Sequence, residues 1–201
     1  MNRSRLRLVA VLLLLSLCLT ACGSEPTPTP EPTATAKTGD EIISKGVGFV
    51  ITLGKSSDDT PRYDYTVTAT DGSVIESASC AMQPKVAPLG KELLGFRFYT
   101  EDKTWCRYYD LAKGVASPSY FGAFWDNGRL VAHNDHDKSG ALVVCDIFDP
   151  AGFRYQAPLP EGATEVTVIA AVPSEDGSVL NVEYLTDLSD GRVTVTLPLS
   201  N

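Results

Sequence analysis

"SEDGSVLNVEYLTDLSDGRVTVTLPL", residues 174–199, holds two strands and the turns that open them. In its second half Val193, Val195, Leu197 and Leu199 alternate with Arg192, Thr194, Thr196 and Pro198. A period of two is that of a strand with one wet and one buried face. Asp176-Gly177 and Asp190-Gly191 supply the Asx-Gly pairs that tight hairpins need for positive φ.

The pattern recurs outward from there. In "RYDYTVTAT", 62–70, Tyr63, Tyr65, Val67 and Ala69 alternate with polar neighbours. "ALVVCDIF", 141–148, and "VTVIAAV", 166–172, are apolar on both parities, as expected of central strands covered on both sides. Glycine and proline interrupt the chain too often for long helices, and the two longer intervals, 96–113 and 178–190, read as strands and turns. Asp71-Gly72, Asn127-Gly128 and Asp176-Gly177 lie 56 and 49 residues apart, near the period of propeller blades. The expectation is an all-β domain of about a dozen antiparallel strands, built as propeller-like hairpin sheets, closed or partial. A two-sheet β-sandwich is the alternative.

The N-terminal residues are of another kind. Arg3, Arg5 and Arg7 precede the apolar run "LVAVLLLLSLCL", 8–19, which is shorter than the ~20 residues of a spanning helix but suits a signal-peptide core. Leu19-Thr20-Ala21-Cys22 follows, and it resembles the lipobox of bacterial lipoproteins. The resemblance implies that residues 1–21 are removed, that the Cys22 thiol takes a diacylglyceryl group, and that the chain is held extracytoplasmically to a bacterial membrane. Residues 23–39, with Pro26, Pro28, Pro30 and Pro32, hold too little apolar surface to pack and read as a tether. At ~3.1 Å per residue it could reach roughly 50 Å. The rest, 40–201, is expected to be one domain.

Loss of the leader lowers the basic side chains from 17 to 14 and leaves 25 acidic ones, a net charge of −11. Such a surface opposes nucleic acid and anionic head groups, so no nucleic-acid partner is expected. Beyond Cys22 the cysteines are Cys80, Cys106 and Cys145, which permit at most one internal disulfide; the expected pair is Cys80 with Cys106.

Chemistry-bearing residues are few. "HNDHDKSGALVVCD", 133–146, holds both histidines of the chain, and from Asp135 it reads D-x-D-x-S-G with Asp146 in twelfth place. That spacing would set Asp135, Asp137, Ser139 and Asp146 as oxygen ligands of calcium, the one cofactor the sequence suggests. A solvated acidic hairpin tip is the competing reading. "TWCRYYD", 104–110, and "YFGAFWD", 120–126, make Trp105, Tyr109 and Trp125 candidates for an exposed aromatic platform, core packing being the commoner use of such residues. There is no G-x-S-x-G, H-E-x-x-H or S-x-x-K, and "GKSS", 54–57, has Phe49 where a phosphate loop needs its leading glycine. The sequence therefore points to a lipoprotein with a non-catalytic domain that binds an envelope protein, peptide or glycan. An envelope hydrolase using His133 or His136 as base and a transporter's solute-binding lipoprotein are the alternatives.

Overall fold

The structure, a computed structural model, describes residues 40–200 except 57, 101–102 and 136–139. Among these residues it has sixteen strands in four antiparallel sheets and no helix. The sheets follow one another along the chain as up-and-down meanders. The first holds β1 (Glu41–Gly46), β2 (Phe49–Lys55), β3 (Pro61–Thr68) and β4 (Val74–Cys80). The second holds β5 (Lys85–Pro88), β6 (Leu93–Tyr99), β7 (Thr104–Asp110), and β8 (Val115–Ala116) with β9 (Tyr120–Phe121), both of which pair with β7. β10 (Ala123–Asp126), β11 (Leu130–Asn134), β12 (Ala141–Asp146) and β13 (Arg154–Pro158) form the third. β14 (Val166–Pro173), β15 (Val179–Thr186) and β16 (Val193–Pro198) form the fourth.

Side-chain parity then stacks these sheets in order. Ile51, Tyr65 and Val67 of the first sheet meet Leu94, Phe96, Phe98 and Tyr109 of the second. The other face of β7 sends Cys106 and Tyr108 against Val131, Val143 and Cys145 of the third. The other face of β12 sends Leu142 and Val144 against Leu180, Val182 and Leu197 of the fourth. Three apolar layers thus hold four sheets, and among the described residues no such layer joins the first sheet to the fourth. The arrangement is a partial, propeller-like stack that does not close.

The two outward faces carry paired polar side chains. On the first sheet Arg62 pairs with Asp64 at 2.6 Å, the Ser79 hydroxyl donates to Asp64, and Thr66 and Ser77 share a hydrogen bond of 3.0 Å. On the fourth, Arg192 pairs with Glu183 at 3.0 Å and Thr196 donates to Asn181 at 3.2 Å. Four edge strands, β5, β13, β14 and β16, end in Pro88, Pro158, Pro173 and Pro198, where a missing N–H does no harm to the ladder and discourages further pairing.

Two expectations about strands need correction. β12 is covered on both sides as its sequence requires, but 166–172 is not. β14 is the edge of the last sheet, with Val166 and Val168 turned inward and Ile169 and Val172 exposed at 42% and 59%. Its second parity is apolar because a bulge between Val168 and Ala170 shifts the register there, not because a further layer covers it. The Asx-Gly turns are real, with Gly72, Gly128 and Gly177 at φ of +88°, +83° and +68° and the preceding Asx oxygen accepting the N–H two residues on. They do not mark one repeated position, since Asp71-Gly72 joins the third and fourth strands of its sheet and the other two join first to second.

If β12 is covered on both sides, truncation on either parity must be costly. Leu142→Ala, in the third layer, and Ile147→Ala, just past the strand's end and in the second, should each lower stability by about 2–5 kcal/mol. Val172→Ala, on the outward face, should stay within about 0.5 kcal/mol in the same denaturant titration.

Candidate functional site

Between the second and third sheets, at their first-strand edges, lies a cavity of about 410 Å³. Strand parity decides what lines it. β6 turns Leu94, Phe96 and Phe98 into the first layer, which leaves Gly95, Arg97 and Tyr99 for the opposite face. Two rows of cross-strand neighbours result on that face, Lys85–Arg97–Cys106 and Ala87–Gly95–Tyr108. Gly95 keeps the floor open, because a Cβ there would come within 3.3 Å of Leu89 and 3.4 Å of the Tyr108 ring. From the third sheet Asp126 closes the site and accepts a hydrogen bond of 3.2 Å from the Tyr108 hydroxyl.

The charges of this cavity are only partly compensated, Asp126 being the one carboxylate in its lining among the described residues. Lys85 and Arg97 stand directly opposite each other, an arrangement that costs free energy in an antiparallel pair. Neither makes an ion pair with a carboxylate among the described residues. The Lys85 ammonium lies 5.3 Å from the centre of the Tyr99 ring, and Arg97 lies against the Cys106 sulfur. Burial pushes the Asp126 carboxyl above the usual carboxylate range, opposed by the Tyr108 hydroxyl and by Arg97. Burial likewise keeps Tyr108 un-ionised, so its hydroxyl remains a donor. A second groove of about 380 Å³ differs in this respect, since its Lys113 pairs with Asp110 at 2.7 Å and its Arg129 approaches Asp146 at 4.0 Å.

The residues singled out from sequence fall elsewhere, apart from Cys106. Asp135 and Asp146 are not brought together. Asp135 donates its N–H to the carbonyl of Ala141 at the start of β12, and Asp146 ends that strand five steps of ~3.3 Å, roughly 17 Å, further on. Asp135 pairs with Arg154 at 3.4 Å, while Asp146 accepts the N–H groups of Phe148 and Asp149 at 3.0 and 3.2 Å as a strand-end cap. Asp137, Ser139 and His136 lie outside the described residues, as does Cys22. No group of three acid, histidine or cysteine side chains able to hold a metal is found among the described residues. His133 is only 6% exposed, its ring 5.3 Å from that of Tyr120 and its Nε2 4.0 Å from Cys145 Sγ, sealed away from any substrate.

The aromatic candidates do not form a platform. Tyr109 is fully buried in the first layer, Trp105 is stacked on Phe98 at 5.3 Å, and Trp125 packs against the third layer on the far side of β10. Nor do Cys80 and Cys106 form a disulfide. Cys80 faces the first layer from β4, whereas Cys106 points from β7 into the second, on the opposite face of that sheet. What the sequence reading missed is the cluster of Lys85, Arg97, Tyr108 and Asp126. Its one legible trace is Arg97, a cation flanked by Phe96 and Phe98 in an otherwise apolar strand.

Comparison of the chain with protein-family models, curated proteins and solved structures finds no match to any of them. The site's own chemistry must therefore carry the functional argument.

Two measurements follow from this geometry. Burial raises all three described thiols, Cys80 to about 11. At pH 8 a thiol reagent should therefore label half-exposed Cys80 first and Cys106 and Cys145 only after denaturation, as read by peptide mapping; a Cys80–Cys106 linked peptide would contradict it. For Asp126 the folded pKa exceeds the unfolded one, so ionising it costs stability once pH rises past ~4. Asp126→Asn should raise the melting temperature at pH 7, with the gain vanishing below about pH 4.

Proposed function

We propose that this protein is an extracytoplasmic lipoprotein, anchored to a bacterial membrane through Cys22, whose β-sheet stack is a non-catalytic binding module. The observation that carries the binding part is the pair of cations placed directly opposite each other, Lys85 and Arg97, neither in an ion pair among the described residues, at a cavity that also holds a carboxyl disfavoured by burial. Groups that weaken the free protein in this way are commonly retained because a ligand uses them. The anchor rests on the leader: three arginines, an apolar run too short to span, small residues and Cys22, in that order. Among the described residues no helix is long and apolar enough to cross a membrane. Two or more acyl chains, each burying CH₂ groups at ~0.8 kcal/mol, would hold the chain firmly. The Pro-rich residues 23–39 would let the module reach a ligand at a distance from the bilayer.

Expressed in a bacterium, the wild-type chain should sediment with membranes and carry the mass of a diacylglyceryl-modified polypeptide beginning at Cys22. Cys22→Ser should lose that added mass and either appear in the soluble fraction or stay bound with its leader uncut, the two being told apart by mass. A wild-type chain of unmodified mass, free of the membrane, would overturn the anchor.

A further inference from the structure

We propose that the cavity between the second and third sheets binds a small carboxylate bearing hydroxyl groups, a sugar acid or an open-chain hydroxy acid, with its carboxylate on Arg97 and Lys85 and a hydroxyl on Asp126. This rests on the binding function proposed above and names the class of ligand.

The cations set the first half of the assignment. Lys85 and Arg97 share one face of β5 and β6, both are exposed, and across the ladder they repel. An anion placed between them turns that repulsion into two charge-assisted hydrogen bonds. Guanidinium matches a carboxylate in a planar, two-point fashion that ammonium alone cannot supply.

The opposite wall sets the second half. Asp126 offers an acceptor, one of whose oxygens is occupied by the Tyr108 hydroxyl at 3.2 Å. A ligand that is anionic throughout would be repelled there, so the part reaching Asp126 must be neutral and must donate. A hydroxyl meets both demands. The carboxylate of Asp126 also disfavours a dianionic phosphate, in which charge is concentrated and doubled. About 410 Å³ falls at the small end of ligand cavities, suited to a monosaccharide-sized molecule. In the neighbouring groove Lys113 already pairs with Asp110 and Arg129 approaches Asp146.

The test is the melting temperature of the full chain in detergent at pH 7 with each of four probes at millimolar concentration: D-glucuronate, L-tartrate, D-glucose and glucose 6-phosphate. Glucuronate or tartrate should raise it by several degrees, glucose should not, and the sugar phosphate should do less than the carboxylate. A shift from glucuronate alone identifies the sugar acid, and from tartrate alone the open-chain acid. Arg97→Met should weaken binding roughly tenfold or more, and Lys85→Met less. Because both side chains are exposed and repel each other, each variant should melt at or slightly above the wild-type temperature without ligand, which separates lost binding from lost folding. A carboxylate shift that survives Arg97→Met, or a stronger response to the sugar phosphate, would overturn the assignment. If glucose alone stabilises the chain and Tyr108→Phe weakens it, the cavity remains a binding site and only the carboxylate is wrong. If none of the four probes shifts the melting temperature, the ligand class falls; if a broader set of neutral and cationic small molecules also fails, the cavity's binding role falls with it.

Discussion

Successive residues of a strand point to opposite faces, so a strand can be apolar at every position only where other sheets cover both sides. β12 is such a strand, with Leu142 and Val144 in one layer and Val143 and Cys145 in another. β7 is its counterpart in the second sheet, sending Trp105 and Tyr109 one way and Cys106 and Tyr108 the other. Two central sheets that must each be covered twice dictate a stack, and the first and fourth sheets are the covers. The same parity rule creates the cavity, because Gly95 and Arg97 take the positions on β6 that bulky apolar residues would need to fill the second layer.

Stability and binding therefore compete for one interface. Away from the cavity the second layer is dry, built of Val131, Val143 and Ile147. At its first-strand edge it carries two cations that make no ion pair among the described residues and a half-buried carboxyl whose hydrogen bond from Tyr108 is a polar contact between the sheets there. Around Glu76 the first layer shows a contrasting solution: Tyr65 donates to Glu76 at 2.7 Å, Arg107 reaches the same carboxylate at 3.1 Å, and Arg107 also donates to the Ser117 carbonyl. A network closed in this way locks two sheets together, whereas one left open is available to a ligand.

Much of the fold was legible because strand parity is a local property. Tyr63, Tyr65 and Val67, or Val193, Val195 and Leu197, announce their inward faces residue by residue, and the unbroken run in β12 announces its two covers. The sheet repeat was harder to read. Each first hairpin contains a glycine, Gly48, Gly90, Gly128 and Gly177, at intervals of 42, 38 and 49 residues, but only the last two follow an Asx residue. A search for Asx-Gly pairs therefore found Asp71-Gly72, which turns a different corner. The cavity was hardest of all, because it joins residues 85, 97, 108 and 126 through cross-strand register and inter-sheet packing, neither of which a linear spacing displays. The spacing of Asp135 and Asp146 shows the reverse: they are near in sequence, yet the length of β12 separates them.

The central claim is an open stack with two inner and two outer sheets, and native-state hydrogen exchange of the backbone amides over 40–200 tests it most directly. An open stack predicts a gradient, with the slowest exchange in β6, β7, β11 and β12 and faster exchange in β1, β2, β14 and β16, which face solvent on one side. Equal, global protection in all four sheets would contradict it, since that is the behaviour of a ring in which every sheet is an inner one.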